Sequence, residues 1–425
     1  MTNERKAEPV SSPSQQARTA SGSWFVVIAF ALAAAATQML WLTFAPVTTL
    51  AADHYGVDVD TIGFLSIIFP LLYVLLAIPW GLLLDRWFRP ALAIGASLTA
   101  VGGVVRTVDT ESFALALAGQ IICAAAQPLV LNSVAKLAVD YLPRSQRPTG
   151  IAVGTVGLFV GMLTSFVLGA VFSSNLGQLL QVQAVIAVVA AVCMAVALTR
   201  PARFADDTDT GIGRAGATSG SAVGAAAAHP LRTSWSDPVI RLLVGLITVG
   251  NGVFVALTTW LQPFLADAGV SSNIADVMLL VLVVFGIAGA AIVPPIAARR
   301  RTQTRWMLSA IVIGALGCVA LAVAPAVVTG FVVSALIGFL VLAVLPIVLD
   351  LVERRAGPAA ATATGLVWLA GNAGGVVISL AVGALVSLPA LGFLVLSVIM
   401  IGAGLPVVRA LHRRIGSHAA VLPDE

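Results

Sequence analysis

From Trp24 onward the chain is a succession of apolar runs, each long enough to cross a lipid bilayer and each closed by a short polar break. Thr61 to Leu84 is one such run, and the next begins at Ala91. A crossing helix needs about 20 residues. The segment between them, Asp85-Arg86-Trp87-Phe88-Arg89-Pro90, therefore has to turn tightly at a membrane face. Read this way, the sequence predicts helices near 23–50, 61–84, 91–108, 113–138, 149–172 and 178–199. A second set follows near 238–265, 274–298, 306–326, 328–351, 360–387 and 389–410. Composition agrees: 59% of the residues are hydrophobic and 10% charged, against about 25% charged in a soluble domain. Lipid, not water, is the main solvent of such a chain.

Between the two sets, 201–236 is a Gly/Ala/Ser/Thr mixture carrying Asp206, Asp207 and Asp209. It is too polar to cross and reads as a flexible linker. The domain boundaries that follow are a disordered tail over 1–22, a six-helix bundle over 23–200, the linker over 201–236, a second bundle over 237–411 and a tail over 412–425. The apolar run after the first tail is too long for a signal-peptide core and reads as the first crossing helix.

The formal net charge of +4 raises a nucleic-acid partner as a question, and the placement of the charges answers it. With twelve crossings and both termini inside, every lysine and arginine except Arg106 falls in a segment on the cytoplasmic side. That bias sets the orientation and makes the basic balance a topology signal. It leaves no nucleic-acid face to explain. Cys123, Cys193 and Cys318 each lie in an apolar run and read as small core residues. The four histidines are scattered, so neither a metal site nor a cofactor is indicated.

Few polar residues lie deep in the runs. Helix one holds Gln38, Trp41 and Thr43; helix four holds Gln120, Gln127 and Asn132. Helix seven holds Asn251, Thr258, Thr259, Trp260 and Gln262, and helix eleven holds Trp368 and Asn372. No charged residue sits near the middle of a predicted helix; Asp85, Lys136, Asp140, Asp350 and Glu353 are all at helix ends. Proton pumps usually keep a mid-membrane acid or histidine, so Asp140 and Asp350 are the remaining candidates for coupling to protons. Indole faces and amides suit a neutral or cationic solute, since an ammonium over an aromatic face gains about 0.5–2 kcal/mol. Gly150, Gly154, Gly157 and Gly161 in helix five, and Gly371, Gly374 and Gly375 in helix eleven, form small-residue stripes for close helix packing, static or sliding. Thr149-Gly150-Ile151 and Thr364-Gly365-Leu366 open helices five and eleven in matching fashion, as two duplicated halves would.

The turn that opened this reading, with Gly81, Leu83, Asp85, Arg86 and Arg89, resembles the loop signature between helices two and three of the major facilitator superfamily. Phe88 replaces its second glycine, and Pro90 its final basic residue. The resemblance implies an all-α membrane protein, with twelve transmembrane helices in two pseudo-symmetric six-helix bundles. It also implies that Gly81, Asp85, Arg86 and Arg89 form a latch bracing the two halves in one conformation. A narrower likeness covers the first third of the chain. Trp41-Leu-Thr-Phe44-Ala45-Pro46, Tyr55-Gly56, Leu65-Ser66, Phe69-Pro70 and Gly119-Gln120 resemble the family of the feline leukaemia virus subgroup C receptor, which transports choline and haem-related compounds. It implies that Trp41 packs against a bound cation, that Asn372 stands for a helix-eleven glutamine and that Gln262 matches a helix-seven glutamine. Leu158 or Phe159 takes the place of a helix-five glutamine.

The function expected is transport of a small organic solute, neutral or cationic or drug-like, across the cytoplasmic membrane by alternating access, active or facilitative, by a monomer. Trp41, Gln127, Asn132, Phe159, Asn251, Gln262, Trp368 and Asn372 are the candidate substrate site. A proton-coupled drug or metabolite exporter is the alternative, although helix five lacks the antiporters' glycine–proline signature. A polytopic membrane enzyme would need clustered acids or histidines, which the loop-borne acids do not form. A receptor that has lost transport would be expected to degrade the latch.

Overall fold

The computed structural model describes residues 13–202, 204, 230–266, 268–385 and 387–419. Among them, eleven helical stretches are long and apolar enough to cross a membrane. The longest, Val327–Gly383, is 57 residues, and a 3-10 turn at Gly357–Ala359 divides it in two. Gly357 has φ +51°, a backbone region that a side chain disfavours, so the reversal falls where glycine permits it. Twelve crossing helices result. In the first half they are α1 (Pro13–Trp41), α2 (Val59–Arg86), α3 (Phe88–Val108), α4 (Phe113–Leu131), α5 (Arg147–Val171) and α6 (Leu176–Leu198). In the second half they are α7 (Pro238–Ala266), α8 (Ser272–Arg299), α9 (Gln303–Val323), α10 (Val327–Ala356) and α11 (Ala360–Gly383). Last comes α12, built of Pro389–Ile399, a π-turn at Met400–Gly404 and Leu405–Ala419.

Two predicted helices are interrupted. The run predicted over 23–50 stops at Trp41, and the chain resumes as a 3-10 turn at Ala45–Val47 and a short helix, Thr48–Tyr55. Pro46 explains the break: it has no N–H to give, and its ring clashes with the carbonyl one turn back. The run over 113–138 breaks after Leu131 and restarts as Val134–Tyr141, Pro128 having removed one bond of that last turn. At the start, α1 begins at Pro13, so the later part of the tail expected over 1–22 is helical, while its first twelve residues lie outside the described ones. Most of the expected linker also lies outside them, and its described end forms a short helix, Pro230–Ser236. The last helix runs past the expected boundary at 411 to Ala419.

Pseudo-symmetry is visible in how the helices touch. A Cβ on Gly161 would meet the carbonyl oxygen of Ala35 at 2.1 Å, so α5 lies directly on α1. A Cβ on Gly374 would meet the carbonyl oxygen of Thr248 at 2.2 Å, so α11 lies on α7 in the same way. The small-residue stripes thus pack helices within each bundle.

The one basic residue off the cytoplasmic side of the charge pattern has a structural place. Arg106, which the charge count places outside, is buried within α3 at 1% exposure. Its Nη1 donates to the carbonyl of Leu40 (3.4 Å), to Thr43 Oγ1 (3.1 Å) and to Gln120 Oε1 (2.8 Å). Gln120 Nε2 in turn donates to the carbonyls of Trp41 and Leu65. The broken end of α1 leaves carbonyls without intrahelical partners. A cation placed there is favoured by the helix dipole, and the interruption at Pro46 is what gives Arg106 its place.

Candidate functional site

A cavity of about 1210 Å³, counting the space open at its mouth, lies between the two bundles. Of the candidate residues, Trp41, Gln127, Phe159, Asn251, Trp368 and Asn372 line it. Two do not. Gln262 is exposed on α7. Asn132 is buried behind the wall, accepting from Tyr73 Oη (2.5 Å) and donating to the carbonyl of Ala77 (2.8 Å). Its amide holds α4 to α2 and fixes Tyr73, which itself lines the cavity. Sequence reading passed over Tyr73 because a tyrosine inside an apolar run carries no spacing signal.

The cavity wall carries no charged side chain among the described residues, so what it presents to a ligand is set by its amides and indoles. Gln127 Nε2 donates to Gln38 Oε1 (2.8 Å), joining α4 to α1. Asn251 Nδ2 donates to the carbonyl of Gly371, and Asn372 Nδ2 to that of Trp368, each at 2.8 Å. Each nitrogen uses one of its two hydrogens on the backbone, and the two side-chain oxygens are left as acceptors. Trp368 Nε1 is a buried donor with no partner, and a buried unmade hydrogen bond costs roughly 1–3 kcal/mol. Its ring lies 6.3 Å from that of Tyr73, and Trp41 lies 6.3 Å from Phe69. The site therefore offers oxygens, N–H groups and aromatic faces, the inventory for a polar or cationic head.

At the end of the molecule carrying Asp85, the bundles are joined. Asp85 Oδ1 accepts from the backbone N–H of Ala361 (2.9 Å), and Oδ2 accepts from the N–H (3.0 Å) and hydroxyl (2.5 Å) of Thr362. An anion thus sits on the N-terminus of α11, where the helix dipole favours it. Gly81 permits the approach, since a Cβ there would lie 2.9 Å from the Cα of Thr362. Of the other residues in the loop, Arg86 lies over the Trp87 ring at 5.1 Å, and Arg89 donates to the carbonyl of Arg200 (2.7 Å). Neither crosses to the second bundle through these contacts. A second bridge was not anticipated: Arg147, at the start of α5, meets Glu353, near the end of α10, at 3.2 Å, both buried. In the sequence Arg147 is one of several basic residues between helices four and five, and an isolated charge there does not name its partner.

The candidate coupling acids lie at this same end, away from the cavity wall. Asp350 is buried and paired with Arg354 (3.0 Å). Asp140, on the short helix Val134–Tyr141, has its carboxyl pushed up to about 6 by burial, with Lys136, Arg89 and Arg147 opposing the shift.

Two six-helix bundles around a central cavity, bridged at one end, define a polytopic membrane transporter of small solutes. The chain belongs to the Major Facilitator Superfamily, whose family model matches residues 26–379. It is 27% identical over 362 residues to solute carrier family 49 member A3 of Danio rerio, covering 82% of this chain and 75% of that protein. It is 24% identical over 156 residues to the choline/ethanolamine transporter FLVCR2 of Homo sapiens, covering 36% of this chain and 30% of that one. In fold it is similar to the transporter FucP in its outward conformation, with a TM-score of 0.71 and 15% identity over 92% of this chain and 97% of that one. The human organic anion transporter MFSD10 is similar at a TM-score of 0.65, with 17% identity over 94% and 100% of the two chains.

Proposed function

We propose that the solute is a small organic cation of the ammonium type, carried across the cytoplasmic membrane by alternating access, both termini facing the cytoplasm. The observation that carries this reading is the uncharged cavity in which the oxygens of Asn251 and Asn372 stand free beside the indoles of Trp41 and Trp368. Acceptors and aromatic faces together replace the hydration of an ammonium, and each aromatic contact adds about 0.5–2 kcal/mol. Relatives named as choline/ethanolamine transporters support the same class. Asp85, on the α11 N-terminus, is the latch of one end state, with Gly81 allowing its approach and Arg86 and Arg89 anchoring the loop. Asp140 and Asp350, off the cavity wall, would couple to protons only through the state of that closed end. The monomer, with its own complete cavity, is the working unit.

Uptake of radiolabelled choline and ethanolamine into proteoliposomes, with and without a pH gradient, tests the reading. Saturable uptake should appear, and Trp41→Ala should raise the apparent KM about tenfold while the protein still inserts. An unchanged KM would make Trp41 a packing residue. Absence of uptake, with stabilisation by organic anions instead, would reject the cation.

A further inference from the structure

The cavity does not end between the bundles. It continues into the second bundle, where Val249 of α7, Met307 and Ile311 of α9, Val341 of α10 and Met400 of α12 line it. All five side chains are buried, none above 8% exposure. They carry no hydrogen-bonding group beyond thioether sulfur, so this branch is a hydrocarbon-lined hollow enclosed by four helices and continuous with the polar centre. The π-turn of α12 begins at Met400, and such turns re-aim a side chain by inserting a residue into the helix. Two methionines at the far wall give a surface that can re-pack around contents of different length.

Gly250 of α7 shows that the space is real. Gly250 is half-buried on the cavity wall, and a Cβ built there meets no atom within 4 Å, so it faces open cavity space. Two residues on, a Cβ on Gly252 would strike Ile378 Cδ1 at 2.4 Å and the carbonyl of Gly374 at 2.9 Å. Glycine at 252 is needed for packing; at 250 it leaves a hollow open. A void costs its lining the contacts it could have made, and an apolar hollow joined to a polar site has one chemical use.

We propose that this branch is a chamber for the hydrocarbon chain of an amphiphilic ligand, whose polar head occupies the site between Trp41, Trp368, Asn251 and Asn372. The inference deepens the cation reading and rests on it for the head alone; the chamber stands on its own geometry. The substrate class becomes an alkyl-substituted ammonium, with a chain of several carbons reaching past Gly250 toward Met307 and Met400.

The test uses the full chain in lipid nanodiscs and follows thermal stabilisation by n-alkyltrimethylammonium ions from methyl to octyl. Apparent affinity should rise about three- to fourfold per methylene and level off once the chamber is full. Gly250→Leu, which projects into the chamber, should collapse the octyl-to-methyl affinity ratio by at least about tenfold, and Gly250→Ala should reduce it less. The ratio is taken within each variant, so a general loss of stability does not mimic the result. An equal gain per methylene in wild type and Gly250→Leu would mean that the chains merely partition into lipid, and would overturn the chamber. If no ammonium ion of any length stabilises the protein, the cation reading fails, and n-alkanols of the same lengths decide the chamber. Stabilisation by octanol that Gly250→Leu removes upholds it; octanol behaving alike in both proteins overturns it.

Discussion

The interiors of the two bundles occupy equivalent places in the pseudo-symmetric fold and are filled in opposite ways. Among α1, α3, α4 and α6, the space holds Arg106, Thr43, Gln120 and Gln183 in one hydrogen-bonded chain, with Thr43 Oγ1 donating to Gln183 Oε1 at 2.6 Å. Among α7, α9, α10 and α12, the corresponding helices enclose an apolar hollow that opens to the cavity. A duplicated fold fixes where helices pass but not what lies between them. The first bundle uses its interior to tie down a broken helix whose last residue, Trp41, lines the cavity, and so forms its more rigid wall. The second leaves its interior open and serves as the adaptable half.

Removing Arg106 should produce the largest effect. In Arg106→Ala, Gln120 Oε1 loses its donor inside the bundle, at roughly 1–3 kcal/mol, while the Leu40 carbonyl keeps the Thr43 hydroxyl, and the large vacated volume adds to the loss. A destabilisation of about 3–5 kcal/mol should appear as a large fall in Tm. Arg106→Leu sharpens the comparison, because it fills the space without a charge. If Arg106→Leu is as stable as wild type, the guanidinium is not what holds the first bundle together. A ligand-binding defect that persists in a stable Arg106→Leu protein would then show the residue acting through Trp41.

The bridges between the bundles come next, and they too differ in kind. Glu353, from the second bundle, faces a buried guanidinium; Asp85, from the first, faces two backbone N–H groups and a hydroxyl. Glu353→Gln leaves Arg147 buried without a counter-charge, a loss of about 3–5 kcal/mol in such pairs. Asp85→Asn keeps an acceptor and loses a charge at a helix N-terminus, on the order of 1 kcal/mol. Glu353→Gln should therefore impair stability and transport together, whereas Asp85→Asn should insert normally and shift the balance of conformations. Maleimide labelling of a cysteine placed near Ala361, compared across both variants, checks this. Equal labelling in Asp85→Asn and wild type would remove Asp85 from the latch.

The sequence made the crossings legible because twenty-residue apolar runs have few alternatives in lipid; most predicted ends fall within a few residues of the observed ones, and the first, fourth and last helices miss by seven to ten. Asp85 was legible because its loop is a local pattern: glycine, acid and arginines at fixed spacing. Six of the eight candidate cavity residues reach the cavity because deep polar side chains in an apolar helix must face something other than lipid. Gln262 fails at a helix end, where exposure is cheap, and Asn132 fails because a buried amide is as well served by Tyr73 as by a ligand. Contacts that join distant segments were not legible. Glu353 and Arg147 are 206 residues apart, and Arg106 reads only as the one basic residue off the cytoplasmic side until Pro46 is seen to break α1 and expose carbonyls to it. The hollow beside Gly250 is the extreme case, since absent volume leaves no mark on a residue string.

The smallest expected effect concerns Asp140, whose counterpart by position in the second bundle, Asp350, has a direct ion-pair partner in Arg354. Burial raises the Asp140 carboxyl from 3.8 to about 6, and Lys136, Arg89 and Arg147 only partly offset that cost. For an acid raised in the folded state, the native protein holds the proton more tightly than the unfolded one. Its contribution to stability is thus complete below about pH 4 and lost as the pH climbs through about 6. Asp140→Asn should remove that part of the pH dependence, raising Tm at pH 7.5 by a few degrees and leaving it little changed at pH 4.5. Asp350→Asn should change Tm less at neutral pH, because it gives up the ion pair while Arg354, half exposed, is solvated without its partner. Were both substitutions to raise Tm by the same few degrees at pH 7.5, the ion pair at Asp350 would count for nothing, and the difference between the bundles would stop short of their charged ends.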